Sequence, residues 1–289
     1  MRVMTLPLIV GVDGSDPSLV AVDWAADEAV RHGLTLRLVH ASLWERYAGT
    51  VPTLGGGRFS ERVLAEHLVT SAAERAARRA PGLRITTDIL PADAVDALLH
   101  EGANAHALVV GDRGRGELKG LLLGSVSLGV AARARCPVIV VRGDDPGVVG
   151  LHERVLLGVG DTATSGRAVD FAVREAELRG CALDAVRAWR RPAPIGAETA
   201  GDGADERRAA TLLDEALRAP LAAHPDVRVR RTTVEGPART ILVDRSGAAD
   251  LVVLGARRRH GHFGLQLGRV GHTLLHHAQC PVAIVPQLA

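Results

Sequence analysis

Apolar residues fall along this chain in short unbroken runs separated by longer amphipathic stretches. The runs predict buried strands at about 6–12, Thr35 to Ala41, 84–90, Ala105 to Val110 and Pro137 to Val141. Between them, polar and apolar positions alternate with helical period, most clearly in the Ala-rich segment Ser60 to Ala80 and over about 93–101. The first helix is expected to begin at Asp16-Pro17, where Asp caps free amides and Pro tolerates the first turn, and to end at Gly33. Residues 42–58, with Gly55-Gly56-Gly57, read as a loop, and a further helix is expected from Ser125. Strands alternating with helices imply a parallel sheet with right-handed crossovers, whose ligands bind beyond the carboxyl ends of the strands.

The same pattern then runs a second time. Ile9-Val-Gly-Val-Asp-Gly-Ser15 returns 147 residues later as Leu156-Leu-Gly-Val-Gly-Asp-Thr162. Val-Asp-Trp-Ala at 22–25 returns as Val-Asp-Phe-Ala at 169–172, and Gly33 as Gly180, in the same register. Ala134-Arg-Cys-Pro-Val-Ile-Val-Val141 returns 144 residues later as Ala278-Gln-Cys-Pro-Val-Ala-Ile-Val285. A unit of about 140 residues used twice fits two domains of ordinary size, expected at 1–145 and 150–289 with a linker near Gly143-Asp-Asp-Pro-Gly147.

Composition narrows the chemistry. Apolar residues make up 47% of the 289 residues but aromatics only 2%, so the cores are built from Val, Leu, Ala and Ile, and base-stacking platforms for single-stranded nucleic acid are excluded. A formal charge of +2 with no basic tail argues against nucleic-acid or anionic-membrane partners. No signal-peptide pattern and no apolar run of about 20 residues is present, and Cys136, Cys181 and Cys280 form no paired or zinc-binding spacing. A cytoplasmic protein with free thiols is expected.

The candidate chemistry lies after the fourth strand. Gly111-Asp-Arg-Gly114 is followed, after nine further residues, by Gly124-Ser125-Val126-Ser127 at the expected helix start. Glycines let backbone approach an anion closely, and free amides at a helix start favour phosphate. Ser125 and Ser127 are expected to add hydroxyl donors. The spacing is neither the Gly-x4-Gly-Lys-Ser/Thr loop nor the Gly-x-Gly-x-x-Gly fingerprint after a first strand.

These features together resemble the universal stress protein family in its tandem form: the glycine spacing, Asp13 ending the first strand, and the closing Cys-Pro-Val-Ile-Val-Val strand. The resemblance implies two flavodoxin-like (adenine nucleotide alpha hydrolase-like) α/β domains, each a five-stranded parallel sheet with helices on both faces. It also implies ATP binding, with or without Mg²⁺, a role in stress adaptation, and pairing of domains through the fifth strand. By this resemblance Gly11, Asp13, Gly14 and Ser15 serve the nucleoside end, and Val39 and Ala41 border the adenine. Gly111, Arg113 and Gly114 wrap the ribose and phosphates, and Gly124, Ser125, Val126 and Ser127 bind phosphate oxygens. An adenine nucleotide is the expected partner, and a homodimer is compatible with the pattern.

The second half departs from it. Gly160 stands at the position of Asp13, Arg258 at that of Gly114 and Arg269 at that of Ser125. Weak or absent nucleotide binding is expected there; Arg257, Arg258, Arg259 and Arg269 as a different anion site is the rival reading. His260, His262, His272, His276 and His277 crowd this half without an acidic or Cys partner at ligand spacing, so no metal is expected. No nucleophile–base pair is evident in either half. The leading expectation is a nucleotide-dependent regulator; a slow ATPase or adenylyl- or phosphoryl-transfer enzyme and a nucleotide-free scaffold stand beside it.

Overall fold

The computed structural model describes residues 5–43, 57–114, 123–160, 166–191, 203–257 and 267–287. The chain divides into two compact units, Met1–Val141 and Arg142–Ala289. The first unit contains β1 (Leu8–Gly11), α1 (Asp16–His32), β2 (Leu36–Ala41), α2 (Gly57–Arg79), β3 (Ile85–Leu90), α3 (Ala94–Glu101), β4 (Ala107–Gly111), α4 (Ser125–Arg133) and β5 (Val138–Val141). Its sheet is parallel with strand order β3-β2-β1-β4-β5. This order places the third strand outside the second, unlike the 2-1-3-4-5 order of flavodoxin itself. The reversal of direction along the sheet falls between β1 and β4, which sets the crevice there.

The expected elements form because burial fits them. Leu8, Ile9 and Val10 of β1 and Leu108 and Val109 of β4 are fully buried, as central parallel strands covered on both faces require. In α1, Ala21, Val22, Ala25 and Ala29 turn inward on one face. Its N-cap is Ser15, not Asp16: the Ser15 hydroxyl oxygen accepts from the Ser18 amide, and Asp16 and Pro17 occupy the first turn. Gly33 ends the helix with φ 63. Helix α2 begins earlier than its periodicity implied, at Gly57. It is held to α1 by paired guanidinium–carboxylate contacts, Arg75 to Asp23 (2.7 and 2.6 Å) and Arg79 to Asp27 (3.0 and 2.7 Å).

The second unit repeats the plan with α5 (Asp145–Val149), β6 (Arg154–Gly158), α6 (Gly166–Arg179), β7 (Ala182–Trp189), α7 (Ala204–Ala223), β8 (Val229–Glu235), α8 (Ala238–Ser246), β9 (Leu251–Arg257), α9 (Arg269–His277) and β10 (Val282–Gln287). Its parallel strands run β10-β9-β6-β7-β8, the same order. The buried Asp250 carboxylate accepts from the amides of His152 and Arg154 (2.8 and 3.0 Å), fastening the approach to β6 against that to β9. The end of α9 is closed by Arg142, whose guanidinium donates to the carbonyls of Leu274, His276 and Ala278. Among the described residues no helix is long and apolar enough to cross a membrane. All three cysteines are buried and free, and burial raises each thiol above its ordinary range, Cys136 to about 11.

Candidate functional site

At the crevice between β1 and β4 lies a cavity of about 580 Å³. Gly11 and Asp13 at the end of β1, Val39 and Ala41 at the end of β2, and Gly111, Arg113 and Gly114 after β4 line it. So do Gly124, Ser125, Val126 and Ser127 at the start of α4. Four segments far apart in sequence therefore meet at one opening. Gly14 and Ser15 stand behind this wall and shape it.

The turn after β1 is built by hydroxyl groups. The Ser15 amide and hydroxyl both donate to Oδ1 of Asp13 (2.9 and 2.6 Å), which fixes the carboxylate's orientation. The buried Ser18 hydroxyl accepts from the Gly14 amide at 3.1 Å and donates to the Ser15 carbonyl at 2.9 Å. Asp13 reaches across to the loop after β4. A Cβ on Gly114 would sit 2.5 Å from Oδ2 of Asp13, so this position holds glycine because the carboxylate occupies the side-chain space. Likewise a Cβ on Gly111 would meet the Pro17 carbonyl oxygen at 2.6 Å; the end of β4 lies directly against the first turn of α1.

Helix α4 opens on the cavity with an unfilled amide set. Gly124 is its N-cap, and its own amide donates to the Asp112 carbonyl at 2.7 Å. The first intrahelical bond is Leu128 N–H to the Gly124 carbonyl, at 3.0 Å. The amides of Ser125, Val126 and Ser127 thus precede the helical ladder, and none has a hydrogen-bond partner among the described residues. Such a helix start carries partial positive charge. Ser127 departs from expectation: its hydroxyl donates to the Gly111 carbonyl at 2.6 Å and the residue is only 4% exposed. That hydroxyl ties β4 to α4; only the Ser127 amide remains to donate to a ligand. Ser125, exposed at the first helical position, keeps its hydroxyl available.

The far end of the cavity is apolar. Ala94 and Leu98 of α3, with Val12, Val110 and Leu123, complete it. Sequence reasoning passed over them, although Ala94 and Leu98 lie four apart on one helical face. His40 and the buried Ser18 are the polar lining residues it missed. His40 Nδ1 lies 2.8 Å from the Val12 carbonyl oxygen. Buried Asp112 pairs with Arg113 at 3.4 Å, beside the cavity mouth.

In the second unit the described residues include only part of the counterpart mouth. Arg187, at the end of β7, donates to the Gly160 carbonyl. Arg269 opens α9 behind the N-cap Gly268. Arg258, Arg259, His260 and His262 lie outside the described residues, as do Asp161, residues 115–122, Gly55 and Gly56. Among the described residues the His cluster contains His272 and His276, with ring centroids 4.5 Å apart, and His277, 6.1 Å from His276.

The universal stress protein family model matches residues 4–142 and again 152–286. The chain belongs to the universal stress protein family. Its tandem form is shared with a universal stress protein of Mycobacterium tuberculosis, Rv2623, 34% identical over 289 residues and covering 97% of this chain and 96% of the relative. A second from that organism, Rv2005c, is 33% identical over 292 residues and covers 97% of each chain. A solved universal stress protein from Archaeoglobus fulgidus superposes over 99% of this chain and all of that one with TM-score 0.71, at 18% identity, and so shares the fold.

Proposed function

We propose that the first unit of this universal stress protein binds an adenine nucleotide, ATP in particular, and uses it as a regulatory ligand in stress adaptation. The reading rests on the three unpartnered amides of Ser125, Val126 and Ser127 opening onto a cavity that is apolar at its other end. A phosphate group suits the amides, and a purine suits the wall of Val39, Ala41, Ala94 and Leu98. Asp13, held by Ser15, offers a carboxylate acceptor suited to ribose hydroxyl groups. Bound Mg²⁺ would draw on phosphate oxygens, with Asp112 the nearby carboxylate. We assign ligand-dependent regulation over rapid turnover because no activated nucleophile is present among the described lining residues.

Denaturing the purified chain and analysing the released small molecules by mass spectrometry, together with calorimetric titration by ATP, tests the reading. Gly114→Ala pushes a methyl group into Asp13 and is expected to weaken ATP binding about tenfold or more, with the melting temperature nearly unchanged. Wild-type protein that carries no nucleotide and shows no heat with millimolar ATP would falsify the proposal.

A further inference from the structure

His40 is a titratable side chain on the cavity wall that the proposed function does not use. Its Nδ1 lies 2.8 Å from the Val12 carbonyl oxygen. A carbonyl can only accept, so Nδ1 must carry the hydrogen. The neutral ring therefore keeps its lone pair on Nε2, which has no partner among the described residues. A second proton has one place to go, and taking it leaves the Nδ1 bond to Val12 intact. Protonation thus adds a positive charge to the wall without dismantling the strand ends that shape it.

The second unit shows that this position tolerates a cation. Strand registers pair Gly11 with Val39 and Gly158 with Val186, so Arg187 follows Val186 as His40 follows Val39. The Val12 amide donates to the Val39 carbonyl and the Val159 amide to the Val186 carbonyl, both at 2.9 Å, which confirms the equivalence. Arg187 also donates to a carbonyl at the end of the unit's first strand, that of Gly160. One device appears twice, once with a permanent charge and once with a titratable one.

We propose that His40 couples nucleotide binding in the first unit to proton uptake, so that affinity for an adenine nucleotide rises as pH falls. The inference rests on the nucleotide reading above. The charged groups that share the cavity wall with His40 are Asp13 after β1 and Arg113 after β4, the latter paired with Asp112; α1, α3 and α4 face the cavity with uncharged residues. Without nucleotide Arg113 is balanced by Asp112 at 3.4 Å, while Asp13 faces the cavity; an anionic nucleotide adds negative charge to these surroundings and draws a proton onto His40. By reciprocity, the bound nucleotide must raise the ring's proton affinity by the same factor that the proton raises nucleotide affinity.

Two measurements on the full chain test this. Calorimetric ATP titrations from pH 8 down to pH 5.5 compare wild type with His40→Asn and His40→Arg. ATP itself titrates in this range, so the quantity read is the ratio of wild-type to variant affinity. That ratio is expected to change about threefold or more across the series, since a charge on the cavity wall attracts an anionic ligand along its length. A ratio constant with pH would overturn the inference, because a merely structural His40 would weaken binding equally throughout. Separately, the His40 ring ¹³Cε1 resonance, assigned by its loss in His40→Asn, is expected to titrate at higher pH with ATP than without it. An unmoved titration overturns the coupling while leaving nucleotide binding standing; a wild type that binds no ATP at any pH removes the underlying reading instead.

Discussion

The two units carry the same backbone to the same place and finish it with different side chains. Gly11 presses against Leu98 and Gly158 against Leu242, so neither position has room for a rigid side chain. Gly124 and Gly268 both cap a helix whose first backbone bond, to Leu128 or His272, is 3.0 Å. Around this shared frame, Asp13, His40, Asp112, Ser125 and Ser127 of the first unit correspond to Gly160, Arg187, Ala256, Arg269 and Gly271 of the second. Acidic and hydroxyl groups give way to guanidinium groups and glycine. The duplicated fold is therefore specified by buried contacts, and its chemistry by a few tips at one end of the sheet that packing does not constrain.

The same freedom shows in an ion pair between strand and helix whose polarity is reversed. In the first unit Arg37 of β2 contacts Glu101 at the end of α3, at 3.0 Å, and Asp88 at 2.6 Å. In the second, Asp184 of β7 stands where Arg37 does, and Arg245 of α8 where Glu101 does, 3.2 Å apart. Which partner is buried decides the cost of breaking each pair. The Asp184 side chain is 7% exposed, and its Oδ1 has no partner, whereas Arg37 is 32% exposed. Arg245→Glu is expected to destabilise the second unit by about 3 kcal/mol, because a buried carboxylate is left facing another. Glu101→Arg is expected to cost the first unit only about 1 kcal/mol, since water and Asp88 still serve Arg37. Exchanging both partners, Asp184→Arg with Arg245→Glu, recreates the first unit's polarity and should recover most of the loss. Denaturant unfolding measures all three; equal costs in the two units would show that burial does not set the difference.

Much of this architecture was legible beforehand, because repeated apolar runs and helix-end glycines report burial and chain direction directly. Most of the candidate cavity was legible for the same reason: glycine at 111, 114 and 124 marks close approach. What single positions could not reveal was who owns each hydrogen bond. Ser15 and Asp16 are both good caps, and only the geometry of the turn gives the role to Ser15. Ser127 has the right residue type for a phosphate donor, yet the Gly111 carbonyl behind it takes the hydroxyl proton. His40 looked like one residue of a strand until its ring met the end of a neighbouring strand. The Arg37–Glu101 reversal is invisible position by position, since each residue looks like an ordinary surface charge.

A pH effect of opposite sign to that proposed at His40 is expected at α9, and it belongs to the second unit alone. His276 is pushed below the usual imidazole range, first by desolvation and then by His272, His277 and Arg142. Its neutral form is thus favoured by folding. This contribution is complete above the unfolded-state value and is lost as pH falls through it toward the depressed folded value. The counterpart helix α4 carries no histidine. Acidification from pH 7.5 to 5 should therefore lower the stability of the second unit, and His276→Gln should flatten the dependence. Hydrogen exchange at α9 amides measures it; protection that is unchanged at pH 5 would dismiss the effect.

The smallest difference to test lies between the outer helix pairs. In the first unit α1 and α2 are joined by Arg75–Asp23 and Arg79–Asp27, whose carboxylates raise the proton affinity of both arginines chiefly through direct hydrogen bonds. In the second, His224 approaches Glu177 of α6 at 2.9 Å, an ion pair only while the imidazole is protonated. Arg79 and Asp27 are 46% and 38% exposed, so water and salt screen them, and Arg79→Ala is expected to cost about 0.5 kcal/mol. Molar salt should shrink that cost further, because the Debye length falls to about 3 Å. Asp23 and Asp27 lie one helical turn apart, as do Arg75 and Arg79, so the two arginines repel each other and removing both should cost slightly more than the sum of the single removals. A double-mutant cycle on Arg75 and Arg79, run at low and high salt, measures that coupling. A cost independent of salt would mean that the arginine stems, packed across the two helices, hold α2 in place and that the charges contribute little.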